Sequence, residues 1–239
     1  MAHTNPQSDP ATLFDGDMAA AYDRRNSGLA PISDCLHFLT RLVLADLPET
    51  ARVLCIGVGT GAEILSLASA RPGWSFVGVD PAPEILAVGR TRLAEAGVLD
   101  RCQLVEGYVD AIDDGGFDVA IALLVAHFIK LSDRPGFYRA IYDRLKPGGR
   151  FVSAEISCDL DAKTFPAMLE NWEQVQALMG ATPASLKALP EVLRDQLGVV
   201  SPATTQTLSR EAGFTPPIDF FQAFLIRGWH AHRPDAIAP

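Results

Sequence analysis

The chain has 239 residues, 48% of them hydrophobic, with a mean hydropathy of +0.14, which excludes an intrinsically disordered chain and fits one large domain, or one domain with a cap. A net charge of −9 and a pI near 5.0 exclude a broad electrostatic footprint for DNA and argue against tRNA. No apolar run reaches the ~18 residues needed to cross a membrane, and the N-terminus lacks the charged start and apolar core of a secretory signal, so a cytoplasmic location is expected. Cys35, Cys55, Cys102 and Cys158 stand far apart with no C-x-x-C pair, so neither a zinc site nor a redox motif is expected.

In chain order, residues 1–12 are polar and read as a loose tail. A short helix is expected from Phe14 to Asp23, and another from Ser33, a fitting N-cap, to Leu44, with Leu36, Leu39 and Val43 on its apolar stripe. Strands and helices then alternate. Arg52 to Ile56 is strand one, Gly61 to Ala70 a helix, Trp74 to Val79 strand two, and Glu84 to Ala96 a helix stopped by Gly97. Cys102 to Glu106 is strand three, and Phe117 to Leu123, apolar almost throughout, is a buried parallel strand. Arg134 to Leu145 is a helix stopped by Lys146-Pro147-Gly148-Gly149, and Arg150 to Ile156 is strand five.

Residues 160–200 break this alternation. Two amphipathic helices are expected there, Thr164 to Met179 and Ala184 to Leu197, separated by Pro183 and Pro190. They read as a helical cap inserted over the crevice, and its apolar stripe (Leu186, Leu189, Val192, Leu193) allows a homodimer. A helix from Thr204 to Ala212 follows. The runs Ile218 to Ala223 and Phe224 to Ala231 lie too close together for a helical crossover and pair as an antiparallel hairpin. The fold class is therefore α/β: a doubly wound, Rossmann-like, seven-stranded sheet, mostly parallel with a C-terminal antiparallel hairpin, plus a small helical cap. The expected division is a tail (1–12), a nucleotide-binding core (13–159), the cap (160–200), and a C-terminal helix and hairpin completing the core (201–239).

The chemistry gathers at Val53-Leu54-Cys55-Ile56-Gly57-Val58-Gly59-Thr60-Gly61. Strand, glycine turn and helix is the layout of a nucleotide-binding βα unit. Glycines permit positive φ and place no Cβ between backbone and ligand, and the helix start directs free N–H groups at it. Asp80, nineteen positions after Gly61, ends strand two, where a carboxylate can accept from both hydroxyls of a ribose. Gly57, Gly59 and Ala62 also satisfy the dinucleotide fingerprint, so NAD competes at this point. Against it stand the closing hairpin and the lack of a second nucleotide half.

Val53–Gly61 resembles the first motif of class I S-adenosylmethionine-dependent methyltransferases, and Val77-Gly78-Val79-Asp80-Pro81 their second. Leu145-Lys146-Pro147-Gly148-Gly149 resembles the turn before their fifth strand, and Ala212-Gly213-Phe214 their C-terminal end. The likeness runs from about residue 14 to 232. Within that superfamily, Phe14-Asp15, Glu106-Gly107-Tyr108-Val109, Leu123–Ile129 and Phe220-Phe221-Gln222-Ala223-Phe224 look most like carboxy-S-adenosylmethionine synthases and related methyltransferases. The synthases carry an arginine in the cap for an extra carboxylate; the nearest arginine here is Arg194.

The resemblance implies S-adenosylmethionine as cofactor and methyl transfer to a small-molecule acceptor. The alternatives are a carboxy-S-adenosylmethionine synthase-like enzyme or a non-catalytic S-adenosylmethionine-binding protein. It also implies the site. Gly57, Gly59 and Gly61 approach the cofactor by backbone and Asp80 holds its ribose. Pro81, Tyr108 and Val109 flank the adenine, Leu123 offers its carbonyl to the ammonium, and Tyr22 and Arg25 approach the carboxylate. Two departures stand out: the acidic residue of the first motif is Cys55, and the one that meets the adenine amine is Tyr108. His127, just past strand four, is the candidate catalytic base, to be weighed against a histidine that only lines the pocket or bonds a backbone. Glu155, near the end of strand five, is a second candidate base beside a structural reading, Trp172 and Phe221 read as core or as an apolar acceptor wall, and His230 with His232 makes a poor metal pair, so no metal is expected.

Overall fold

A computed structural model describes residues 27–235. The expected tail, the helix from Phe14, and the candidate residues Tyr22 and Arg25 lie outside them.

Helix α1 (Ala30–Val43) begins earlier than expected. Pro31, with φ already helical and no N–H to satisfy, sits in its first turn, so Ser33 lies inside the helix and does not cap it. The next elements are β1 (Arg52–Ile56), α2 (Ala62–Ala70), β2 (Ser75–Asp80), α3 (Pro83–Glu95), β3 (Cys102–Glu106), β4 (Phe117–Leu123) and α4 (Arg134–Arg144). Then come β5 (Leu145–Ile156), α5 (Phe165–Leu178), α6 (Pro183–Glu191), α7 (Pro202–Glu211), β6 (Ile218–Ala223) and β7 (Ile226–His232). Local chemistry sets several boundaries. Gly97, at φ +67, ends α3. Thr182 caps α6 by accepting from the Ser185 N–H, and Ser201 caps α7 by accepting from the Thr204 N–H.

Two boundaries differ from the sequence reading. Pro190 does not separate two helices; it lies inside α6, which runs directly into a wider π-type turn, Val192–Gln196. A proline one turn from a helix end removes a single N–H donor, and widening the next turn absorbs the mismatch. Strand β5 starts at Leu145, because Leu145 pairs with Phe117 before a register shift admits the Pro147-Gly148-Gly149 turn.

The seven strands form one sheet in the order β3-β2-β1-β4-β5-β7-β6. The first five are mutually parallel, and β7 runs antiparallel to both β5 and β6. One face packs Leu54, Ile56, Ala120 and Phe151 on Phe137, Tyr138 and Ile141 of α4 and Leu208 of α7. The other packs Val53, Cys55, Ile121 and Val152 on Ile64 and Leu67 of α2 and Leu93 of α3. A third cluster joins Leu36 of α1, Phe165, Trp172 and Val175 of α5, Leu189 and Leu193 to Phe221 and Leu225 of the hairpin. Each such side chain stabilises by about 1.5–3 kcal/mol on burial, so α5 and α6 are anchored to the body. Strand order reverses between β1 and β4, and that switch point opens a crevice at the strands' carboxyl ends.

Candidate active site

The turn after β1 is built by three glycines in the left-handed region: Gly57 at φ +63, Gly59 at φ +51 and Gly61 at φ +78. A Cβ on Gly57 would lie 2.5 Å from Val125 Cγ2, in the loop after β4, so Gly57 is required twice over: by conformation and by close approach. Gly59 is not crowded in this way: a Cβ there would make only ordinary contacts, with Gly57 O at 3.9 Å and Ile85 Cδ1 at 4.0 Å. Gly61 caps α2, whose first turn presents its N–H groups to this space.

Asp80, buried at the tip of β2, does more than the sequence suggests. Its Oδ2 accepts from the Gly59 N–H at 2.9 Å and its Oδ1 from the Ala82 N–H at 3.0 Å. The carboxylate thus pins the glycine turn to the turn before α3, and each oxygen keeps a lone pair for an incoming hydroxyl. Burial raises its pKa, while the two amides pull it back. Pro81 lies beside it, and Val109 is buried among Val77, Val79 and Ile112 below the same edge. Tyr108 is half exposed on the turn after β3. Leu123 ends β4, opposite Ala154 of β5, and the following Leu124 is held at φ +61 with its N–H donated to Ala154 O at 2.6 Å. A left-handed leucine is strained, so its neighbours fix that loop.

The fixing is done by a buried polar unit. Arg134, 0% exposed, opens α4 and pairs with Glu155 of β5, 1% exposed, at 2.8 Å. The guanidinium also donates to the carbonyls of Ile129 and Gly198, and Glu155 Oε1 accepts from Thr205 Oγ1 at 2.6 Å. His127, 3% exposed, sits within this unit. Its Nδ1 accepts from the Ile156 N–H at 3.3 Å, and its carbonyl accepts from the Gly198 N–H at 2.7 Å. Burial first, then the nearby Arg134 charge, depresses its pKa to about 3. The ring is therefore neutral, with Nδ1 occupied and the proton on Nε2. As held, it has no lone pair to offer an acceptor's proton, and the geometry is that of a bracing histidine rather than a base.

Trp172 and Phe221 are buried in the third apolar cluster. Arg194, the cap arginine, is engaged at the surface by Asp161 at 3.0 Å and by the Leu160 carbonyl. Among the described residues, no group of three or more histidine, cysteine or acidic side chains is placed to hold a metal ion. No described helix is long and apolar enough to cross a membrane.

Two site residues escaped the sequence reading. Arg92 of α3 donates to Thr60 Oγ1 at 2.7 Å, tying the glycine turn from a third side. Glu63, in the first turn of α2, keeps some surface open yet is densely surrounded, and burial raises its carboxyl to a pKa of about 8. The signal available was position: Glu63 stands two residues after the third glycine, in the first turn of the helix that follows it.

Residues 53–149 match a methyltransferase domain family model. The chain is 24% identical over 205 residues to the carboxy-S-adenosyl-L-methionine synthase of Campylobacter lari, covering 84% of this chain and 86% of that protein. It is 34% identical over 183 residues to the ubiquinone biosynthesis O-methyltransferase of Methylobacterium nodulans, covering 76% of this chain and 66% of that one. Among solved structures, human N-acetylserotonin methyltransferase in complex with S-adenosylmethionine superposes with a TM-score of 0.68 at 17% identity, over 96% of this chain and 60% of that one. An O-methyltransferase family protein from Burkholderia thailandensis does so with a TM-score of 0.69 at 13% identity, over 94% and 62%. The chain thus spans less than two thirds of these two solved proteins. The glycine turn, the sheet order with its reversed seventh strand and the matched domain agree: the chain belongs to the class I S-adenosylmethionine-dependent methyltransferases.

Proposed function

We propose that the protein transfers a methyl group from S-adenosylmethionine to a small-molecule acceptor. The observation that carries this reading is the glycine turn: three left-handed glycines, no crowding over Gly59, and the Asp80 carboxylate beside it. The residues present fit the cofactor, because a carboxylate with a lone pair on each oxygen suits a ribose diol and the free N–H groups of α2 suit an electron-rich ligand edge. When bound, a sulfonium supplies an already activated methyl group, so the chain has mainly to align donor and acceptor.

Gly57 and Gly59 allow backbone approach, and Asp80 receives the sugar hydroxyls. Pro81, Val109 and Tyr108 border the adenine side, and Leu123 turns its carbonyl toward the methionine end. Tyr22 and Arg25 remain candidates for the carboxylate. His127 keeps its place in the site as a positioning residue: with Arg134 and Glu155 it holds the Leu124-Val125 segment against Gly57. Acceptor recognition falls to residues 160–200, whose helices flank this end of the sheet.

Calorimetric titration with S-adenosylmethionine, S-adenosylhomocysteine and NAD tests the reading, followed by S-adenosylhomocysteine release with small hydroxyl, amine and thiol acceptors. The S-adenosyl ligands are expected to bind and NAD is not. Failure of both S-adenosyl ligands at millimolar concentration sinks the cofactor assignment. Binding without turnover for any acceptor leaves a binding protein.

A further inference from the structure

Strand β4 stands between β1 and β5, and the chain turns sharply as it leaves the tip. The turn falls on a residue ill suited to it. Among the described residues, positive φ is taken by nine glycines and by only two others, Leu124 at φ +61 and Phe224, between the hairpin strands, at φ +53. A leucine in that region crowds its Cβ against its own carbonyl. Both sides of Leu124 are held. Its N–H donates to Ala154 O at 2.6 Å, a rung between β4 and β5. Beyond it, Val125 O accepts from the Phe128 N–H at 2.9 Å, His127 O from the Gly198 N–H at 2.7 Å, and His127 Nδ1 from the Ile156 N–H at 3.3 Å. Anchored on either side, the segment is kept in a conformation that leucine alone would avoid. Val125 then closes over Gly57 with its Cγ2. The Leu124 side chain packs, partly buried, on the third apolar cluster, which includes Trp172 and Leu193 of the cap segment.

We propose that Leu124 is a positioning residue for the cofactor: its left-handed backbone, rather than its apolar side chain, sets the crevice wall at the methionine end. The inference rests on the cofactor reading, in which Leu123 presents its carbonyl to that end. The peptide that carries the Leu123 carbonyl and the chain that carries Val125 meet at Leu124, so its φ sets the angle between them. One torsion thus fixes both where that carbonyl points and how Val125 meets the glycine turn. Glycine would make the same turn without strain, as it does at Gly57, Gly59 and Gly61. A leucine makes it while also reaching the cap cluster, and the bonds around His127 and Gly198 hold the strained form.

Crossed substitutions separate backbone from side chain. Asparagine tolerates the left-handed region but removes the apolar contact. Valine keeps an apolar side chain but, being β-branched, is a genuine outlier at positive φ. Affinity for S-adenosylhomocysteine is measured by calorimetry, beside thermal melts followed by circular dichroism. Leu124→Asn is expected to bind within about 3-fold of wild type despite a lower melting temperature, and Leu124→Val to bind about 10-fold or more weakly, the scale of a left-handed conformational cost. A role in packing alone gives the reverse order. Leu124→Gly, free of strain and side chain alike, should also stay within about 3-fold, and with Leu124→Asn it decides the matter if the valine protein does not fold. Loss of affinity in the asparagine and glycine variants, or full affinity in a folded valine variant, overturns the proposal and leaves the cofactor reading standing. Failure of wild type to bind S-adenosylhomocysteine overturns both.

Discussion

Replacing Arg134 by Met tests the buried unit behind the crevice. The side chain is 0% exposed and its partner Glu155 1% exposed, with 2.8 Å between nitrogen and oxygen. Removing one member of such a pair strands the other, an effect of about 3–5 kcal/mol. The carbonyls of Ile129 and Gly198 lose a donor as well, which holds the expectation at the upper part of that range. The cost depends on pH with a definite sign. Burial already raises Glu155, and without Arg134 it rises further. A carboxyl whose folded pKa exceeds its unfolded value binds more protons when folded. Stability is therefore least reduced below the unfolded value, near pH 4.5, and falls as pH rises toward the folded one. Urea denaturation of wild type and Arg134→Met at pH 5 and pH 8 reads both quantities, and the gap should widen at pH 8. The double variant Arg134→Met/Glu155→Leu, with no charge left to strand, should recover at least half of the loss. A single-variant loss under about 1 kcal/mol at pH 8, or no recovery in the double variant, refutes the view that this pair is desolvated and coupled.

Three further expectations follow from the site. Asp80→Ala should weaken S-adenosylhomocysteine binding by about 1–3 kcal/mol in calorimetry and lower the melting temperature, because the Gly59 and Ala82 amides lose their acceptor. Gly57→Ala combines a left-handed alanine, at about 1–2 kcal/mol, with a clash against Val125. Adding Val125→Ala should relieve the clash but not the conformational part, which two denaturation curves separate. His127, depressed to about pKa 3, should stay neutral to pH 4.5 by nitrogen NMR. Since its folded pKa lies below the unfolded 6.5, its contribution to stability is present above pH 6.5 and is lost at up to about 1.4 kcal/mol per pH unit as pH falls toward 3. An imidazole titrating near 6.5 would show that the ring is exposed to solvent.

Much of the scaffold is written locally. The bounds of β1, β3, β4 and β6 are those read from the sequence: β1 and β4 are largely apolar runs, and β3 and β6 are short mixed runs closed by turns. The hairpin was legible from spacing alone, since the two runs abut and the two residues that separate the strands cannot hold a crossover helix. Helix starts were less so. Ser33 is as good a cap as Ser201, and it is the burial of Leu29 and the helix-ready φ of Pro31 that select the earlier start. Pro190 shows the same limit: whether a proline ends a helix or is tolerated near its end depends on what buries the next turn, here Leu189 and Leu193 in the third cluster.

The polar unit is a different matter, because its members lie up to 78 residues apart, from His127 to Thr205, and only the topology joins them. One clue was local. Glu155 is the only charge in Phe151-Val152-Ser153-Ala154-Glu155-Ile156, and a charge in a buried strand demands a partner. What sequence could not supply was the direction of that demand, toward Arg134 and Thr205 on the α4–α7 face rather than into the crevice. The same topology separates the two halves of the site. Its front, Gly57, Gly59 and Asp80, comes from adjacent strands whose motifs lie within 24 residues and is readable as a pattern. Its back, where His127 and Gly198 meet over the Leu124 loop, joins the end of the cap segment to the tip of β4. A substitution there is expected to perturb both the cofactor crevice and the acceptor side, whereas one at Asp80 should act on the cofactor crevice and not on the acceptor side. Front and back variants should therefore split in kinetics, with the front raising the KM for S-adenosylmethionine and the back changing kcat and acceptor KM together.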